Sequence, residues 1–150
     1  MVDSSISLDQ KLFENMVDHA SSTYPEECCG LLVGKLLEGN AVKKVMYVRA
    51  VDNVSEKSVR SHSYTIDPKE YLSIEIEAEK SDLEVIGVFH SHPNAAASPS
   101  AIDRNYAWPG LSYVVIGVRE GKSVEVASWT IEKLGGDFHE ERIIIEAHKN

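Results

Sequence analysis

The chain has 150 residues, with 24 acidic against 15 basic side chains and a formal net charge of -9. That length sustains a core of its own and is expected to fold as one domain over residues 1–150; the negative balance disfavours phosphate backbones, so no nucleic-acid partner is expected. No apolar run approaches the ~18 residues that span a bilayer, and the stretch from Met1 to Ser7 has neither the basic start nor the apolar centre of a secretion signal, so the expectation is a cytoplasmic protein with no membrane partner.

Ser7 followed by Gln10 has the form of a capping box, and Leu8, Leu12, Phe13, Met16, Val17 and Ala20 make a helical stripe, which predicts a helix from residue 8 to about 22. Residues 28–33 and 42–48 are apolar and of strand length; the Gly39-Asn40 turn signal between them predicts a hairpin. The cysteines, Cys28 and Cys29, are adjacent, so they build neither a disulfide framework nor a metal knuckle and are read as core. Residues 53–60 are polar and loop-like. Residues 62–66 read as a strand, and the stretch 61–66 as an edge that could receive an extended peptide by strand addition. Asp67-Pro68 then caps a second helix carrying Tyr71, Leu72, Ile74, Ile76 and Ala78.

The next run holds most of the chemistry. Residues 85–89 form a buried strand leading into His90 and His92, which share one face because side chains two apart on a strand do; Ser91 points the other way. Pro93 ends the strand. Ser98-Pro99 reads as an N-cap and first helical residue, which sets Ser100 and Asp103 on one face of a short helix. Two imidazoles and a carboxylate converging from strand and helix suit Zn2+ with a fourth position left to water. A non-haem iron facial triad uses the same donors, and that alternative stays open here. The helix stops at Trp108-Pro109-Gly110. Strands follow over 112–118, 124–130 and about 141–146, with turns at Glu120-Gly121 and Gly135-Gly136. Trp108 and Trp129 are read as packing residues, and His19, His62, His139 and His148 lack ligand-like spacing. The expected fold class is α/β, a mixed β-sheet flanked by helices.

The run from His90 to Asp103, with the order H-x-H-x7-S-x2-D, resembles the JAMM motif of the JAMM/MPN metalloprotease family, and Pro25-Glu26-Glu27-Cys28-Cys29-Gly30-Leu31-Leu32-Val33-Gly34 is similar to the family's glutamate-bearing segment. The resemblance runs over nearly the whole chain and is nearest to the compact bacterial and archaeal branch. It implies an MPN (cytidine-deaminase-like) architecture and a zinc peptidase with His90, His92 and Asp103 as metal ligands. It also implies Glu27 as the catalytic base and acid, with Ser100 as the oxyanion donor. The implied substrate is a ubiquitin-like or sulfur-carrier protein, cleaved at a peptide or isopeptide bond at its C-terminal Gly-Gly. A scaffold relative without activity is the competing implication. Neither reading sets an oligomeric state.

Overall fold

The computed structural model describes residues 4–148 apart from 38 and 40. In chain order the elements are β1 (Ser5–Asp9), α1 (Gln10–Thr23), β2 (Cys29–Leu37), β3 (Val42–Val51), a 3-10 turn (Lys57–Val59), α2 (Pro68–Lys80), β4 (Glu84–Pro93), α3 (Ala101–Tyr106), β5 (Ser112–Arg119), β6 (Lys122–Ile131) and β7 (Phe138–Glu146). The strands pair in the order β1-β3-β2-β4-β5-β6-β7, and β1 pairs with β7 to close the sheet on itself. The sheet is mixed: β1 runs parallel to both its neighbours and β4 parallel to β5, while the other pairs are antiparallel.

Each face of this curved sheet buries its own apolar cluster. On one face, Met16 and Ala20 of α1 pack with Ile6, Leu32, Phe89, Val114 and Ile116. On the other, Ile74 and Ala78 of α2 pack with Leu31, Val33, Val85, Val88 and Tyr113. The alternation along β4 slips at Ile86, which the pairing of Leu32 with Gly87 and Val33 with Val85 leaves as the extra residue of a β-bulge. Beyond the bulge, Val88, His90 and His92 share the α2 face, whereas Phe89 and Ser91 take the α1 face. A small local irregularity thus sets which side of the sheet the histidines occupy.

One buried carboxylate lies within the α1-side core. Glu141 is 4% exposed and accepts hydrogen bonds from Ser4, Ser112 and Ser128, with Lys43 Nζ at 3.5 Å. Its oxygens are met by hydroxyls and a cation, as burial of a charge demands.

The hairpin of β2 and β3, helix α2 with its Asp67 cap, strand β4 ending at Pro93, and β5 to β7 all follow the sequence reading. The residue expected at the hairpin turn, Asn40, lies outside the described residues; Gly39 has φ +66°. Three expectations are corrected. Helix α1 starts at Gln10 with Asp9 as its cap, accepting from Lys11 N at 2.6 Å; Ser7 belongs to β1, because Ile6 and Leu8 are needed in the core and the strand pairs on both edges. Residues 62–66 form no strand. The Asn53 side chain donates to Ser63 O at 3.0 Å and accepts from Thr65 N at 3.1 Å, and Val54 N donates to Thr65 O, so a side-chain amide stands where a ladder would. The short third helix begins two residues later than Ser98-Pro99 suggests, at Ala101 with Ser100 as N-cap.

The close approach of β2, β3 and β4 requires glycine at position 30. A Cβ there would run into the Phe89 ring and sit 2.5 Å from the Arg49 carbonyl oxygen. Gly30→Ala is expected to cost about 1–3 kcal/mol through overpacking. Urea unfolding checks this, and an unchanged midpoint would contradict the packing described.

Candidate metal centre

Three donor atoms converge where β4 meets α3. His90 Nε2 and His92 Nε2 lie 3.0 Å apart, and each is 3.2 Å from Asp103 Oδ2. Four donors around a tetrahedral ion at 2.0–2.1 Å stand about 3.3 Å from one another, so this triangle has the size of one face of such a site. Glu27 adjoins the cluster: one of its carboxylate oxygens and one ring nitrogen each of His90 and His92 lie within 4.8 Å of one another, an arrangement that could hold a metal ion. Of the five residues singled out in the sequence, four meet here, and Ser100 is hydrogen-bonded to Asp103.

Each position has a local cause. His90 and His92 sit on one face of β4, with His90 paired to Cys29 of β2 and to Val115 of β5. Ser91, buried on the opposite face, accepts from Cys28 N at 2.7 Å and so ties β4 to the start of β2 beside Glu27. Glu27 is held by its main chain: its N–H donates to Arg60 O at 2.7 Å and its carbonyl accepts from Asn53 Nδ2 at 3.0 Å. Asp103 is fixed by a capping box, in which Ser100 N donates to Asp103 Oδ2 at 2.8 Å and Asp103 N donates to Ser100 Oγ at 3.1 Å. The carboxylate oxygen aimed at the histidines is therefore also the one that caps the helix. Ser100 Oγ keeps its own hydrogen free to donate elsewhere.

His92 has a partner on its other nitrogen. Nδ1 lies 3.1 Å from Ala96 O, a contact that places the proton on Nδ1 and leaves Nε2 with its lone pair for an ion. The 94–97 loop that carries this carbonyl is anchored in turn: Ala97 N donates to Glu125 Oε1, Trp129 Nε1 donates to Ala97 O, and Asn94 N donates to Val118 O. Gly117 lets the loop lie against β5, since a Cβ there would sit 2.8 Å from Ala95 O. Trp129 is thus more than packing. Trp108 is 61% exposed and lines a cavity of about 990 Å3, in contrast to the packing role its sequence context suggests.

The electrostatics fit the geometry. Burial pushes the Glu27 carboxyl up to about 7, with Asp103 adding to the rise and His92 opposing it. Burial works against the charged form of Asp103, but hydrogen bonds from His90 and His92 outweigh it and hold its carboxyl well below the usual range. Burial lowers His90. It also opposes charge on His92, yet the Asp103 carboxylate and the Ala96 carbonyl raise that group. Burial lifts the Cys28 thiol to about 11 and Cys29 to about 12, which removes both as nucleophiles and supports their core reading.

Sequence reasoning missed Tyr64, whose ring stacks on His90, and Asn53, whose amide joins Glu27 to the 63–65 segment. A polar stretch gives no local sign of either task. Of the remaining histidines, His19 meets the edge of Phe89 and shares a cavity lining with Glu27, His62 lines the cavity that Asp103 borders, and His148 lies 2.9 Å from Asp9. Among the described residues, no helix is long and apolar enough to cross a membrane.

Known proteins resemble this chain over most of its length. A desampylase of Haloferax volcanii is 30% identical over 97% of this chain and 100% of that protein. A CysO-cysteine peptidase of Mycobacterium tuberculosis is 29% identical over 80% of this chain and 78% of that protein. The solution structure of a protein from Desulfitobacterium hafniense superposes with a TM-score of 0.81 at 34% identity, covering 95% of this chain and 94% of that one. The family model described as prokaryotic homologs of the JAB domain matches residues 9–132. With that match over most of the chain, and with the glutamate, both histidines and the aspartate brought together, this protein belongs to the JAB (JAMM/MPN) family.

Proposed function

We propose that this chain is a zinc-dependent peptidase that hydrolyses a peptide or isopeptide bond at the C-terminal Gly-Gly end of a ubiquitin-like or sulfur-carrier protein. The observation that carries the reading is the triangle of His90 Nε2, His92 Nε2 and Asp103 Oδ2 with the buried Glu27 carboxylate beside it. Relatives named desampylase and CysO-cysteine peptidase support the choice of substrate class.

His90, His92 and Asp103 would hold the ion. Bound zinc supplies Lewis acidity and lowers the pKa of a coordinated water towards ~7. Glu27 does the proton work. Its carboxyl, raised to about 7 by burial, takes a proton from the attacking water and delivers it to the departing amine nitrogen. Ser100 Oγ, held at the start of α3, donates its free hydrogen to the developing oxyanion, a contribution of roughly 2.7–4 kcal/mol for such a donor. An iron oxygenase with the same ligands would have no task for a buried base in this position, so Glu27 favours hydrolysis.

The cavity lined by Tyr64, Ile66, Tyr71, Ile102, Asp103 and Trp108 leads away from the centre. The 93–98 loop, whose Ala96 carbonyl meets His92, bears small side chains, which leaves room near the centre for an extended, glycine-rich tail. Specificity then comes partly from the folded body of the carrier.

Protein purified without chelators is expected to carry about one zinc per chain, with His92→Ala and Asp103→Ala each losing it, because a three-ligand site tolerates little loss. Elemental analysis checks this; iron in place of zinc, or equal zinc in both variants and wild type, would sink the assignment. Glu27→Gln should keep zinc and fold while losing at least about 100-fold in turnover. Substantial turnover in that variant would place the base elsewhere. Mass spectrometry of a Gly-Gly carrier bearing a C-terminal extension should show zinc-dependent loss of the extension, and much slower loss from the isolated tail peptide. Equal rates on the two would remove the docking argument, and no cleavage of any such carrier would favour a scaffold role.

A further inference from the structure

The two imidazoles of the centre are supported differently. His92 has a hydrogen-bond partner at Nδ1, the Ala96 carbonyl. His90 is fully buried, and its Nδ1 has no partner among the described residues. A metal-ligating histidine ordinarily donates its second N–H to a carbonyl, carboxylate or water, and that contact fixes the ring plane. At His90 the plane needs another support. The Tyr64 ring lies parallel on it, with centroids 4.5 Å apart and 24° between planes, while His92 meets it edge-on at 4.8 Å and 65°.

Resting on the zinc reading above, we propose that Tyr64 is a positioning residue for the metal centre: its ring, stacked on His90, sets the plane of a ligand whose Nδ1 has no hydrogen-bond partner among the described residues. Tyr64 is itself placed with care. Its neighbours Ser63 and Thr65 are both bound by the Asn53 side chain, through Ser63 O and Thr65 N. The same Asn53 amide donates to the carbonyl of Glu27. The segment therefore supports the ligand on one side and the base on the other. Tyr64 also lines the cavity that runs past Asp103, so its ring touches both the imidazole and the space offered to substrate.

The test measures metal affinity rather than turnover. Zinc dissociation constants are obtained by competition with a chromophoric chelator, and visible spectra are recorded after cobalt(II) substitution. Tyr64→Leu keeps apolar bulk but removes the flat ring, and it is expected to weaken zinc binding by about 10- to 100-fold, the range seen when outer contacts of metal ligands are removed, and to shift the cobalt bands. Tyr64→Phe keeps the ring and should match wild type in both readouts. Tyr71→Leu, in the same apolar cluster, should lower stability without changing either, which separates positioning from packing. If Tyr64→Leu does not fold, Asn53→Ala decides, because it leaves the ring but releases its segment, and a loss of affinity is expected. Wild-type affinity and spectrum in whichever of the two variants folds overturns the inference. Failure of the wild-type protein itself to retain zinc would instead overturn the zinc reading.

Discussion

Two imidazole nitrogens and a carboxylate oxygen stand within 3.2 Å of one another, a spacing that lone pairs do not tolerate without a cation or a proton among them. Much of the surrounding structure can be understood as holding that arrangement in place. The strand supplies two donors from one face, where their spacing is fixed by the backbone and cannot relax. The third comes from a helix start, where Ser100 N binds the same oxygen that faces the rings. Separation is thus opposed on each side by hydrogen bonds that would have to break first.

The closed sheet makes this rigidity possible. β4 lies between β2 and β5, so the backbone of the histidines is paired on both edges. β1 joins β3 to β7 and leaves no open edge beside them, and α1 fills the enclosed face with Met16 and Ala20. Chemical groups gathered from three separate parts of the chain, at Glu27, at His90 and His92, and at Ser100 and Asp103, can then be held close together. Precision of this kind needs supporting contacts as well as the ligands themselves. Ser91, Asn53, Trp129 and Glu125 provide several of them.

The centre was legible in the sequence because its parts are local. Alternation puts His90 and His92 on one face, and the spacing of Ser100 and Asp103 is that of a helix start. Glu27 was different: nothing around it distinguishes a base from a solvated charge, and only the family resemblance marked it. Long-range pairing escaped in both directions. Ser7 looks like a helix cap until Ile6 and Leu8 are required by the closing strand. Residues 62–66 look like a strand until the Asn53 side chain takes their hydrogen bonds. Local patterns record what a segment could do, and the contacts that decide lie ten to more than a hundred residues away.

The segment from Asn53 to Ile66 carries a consequence of another kind. It binds the main chain of Glu27 at both its N–H and its carbonyl, lays a ring on His90, and forms one wall of the cavity. The cavity wall and the supports of Glu27 and His90 therefore share a single stretch of backbone. An insertion or deletion there, the usual way in which a surface loop diversifies, would displace Glu27 and the support of His90 along with the wall. Evolutionary change in what this protein accepts is consequently easier by substitution of the exposed Tyr106 and Trp108, which border the cavity without belonging to the capping box or the histidine strand.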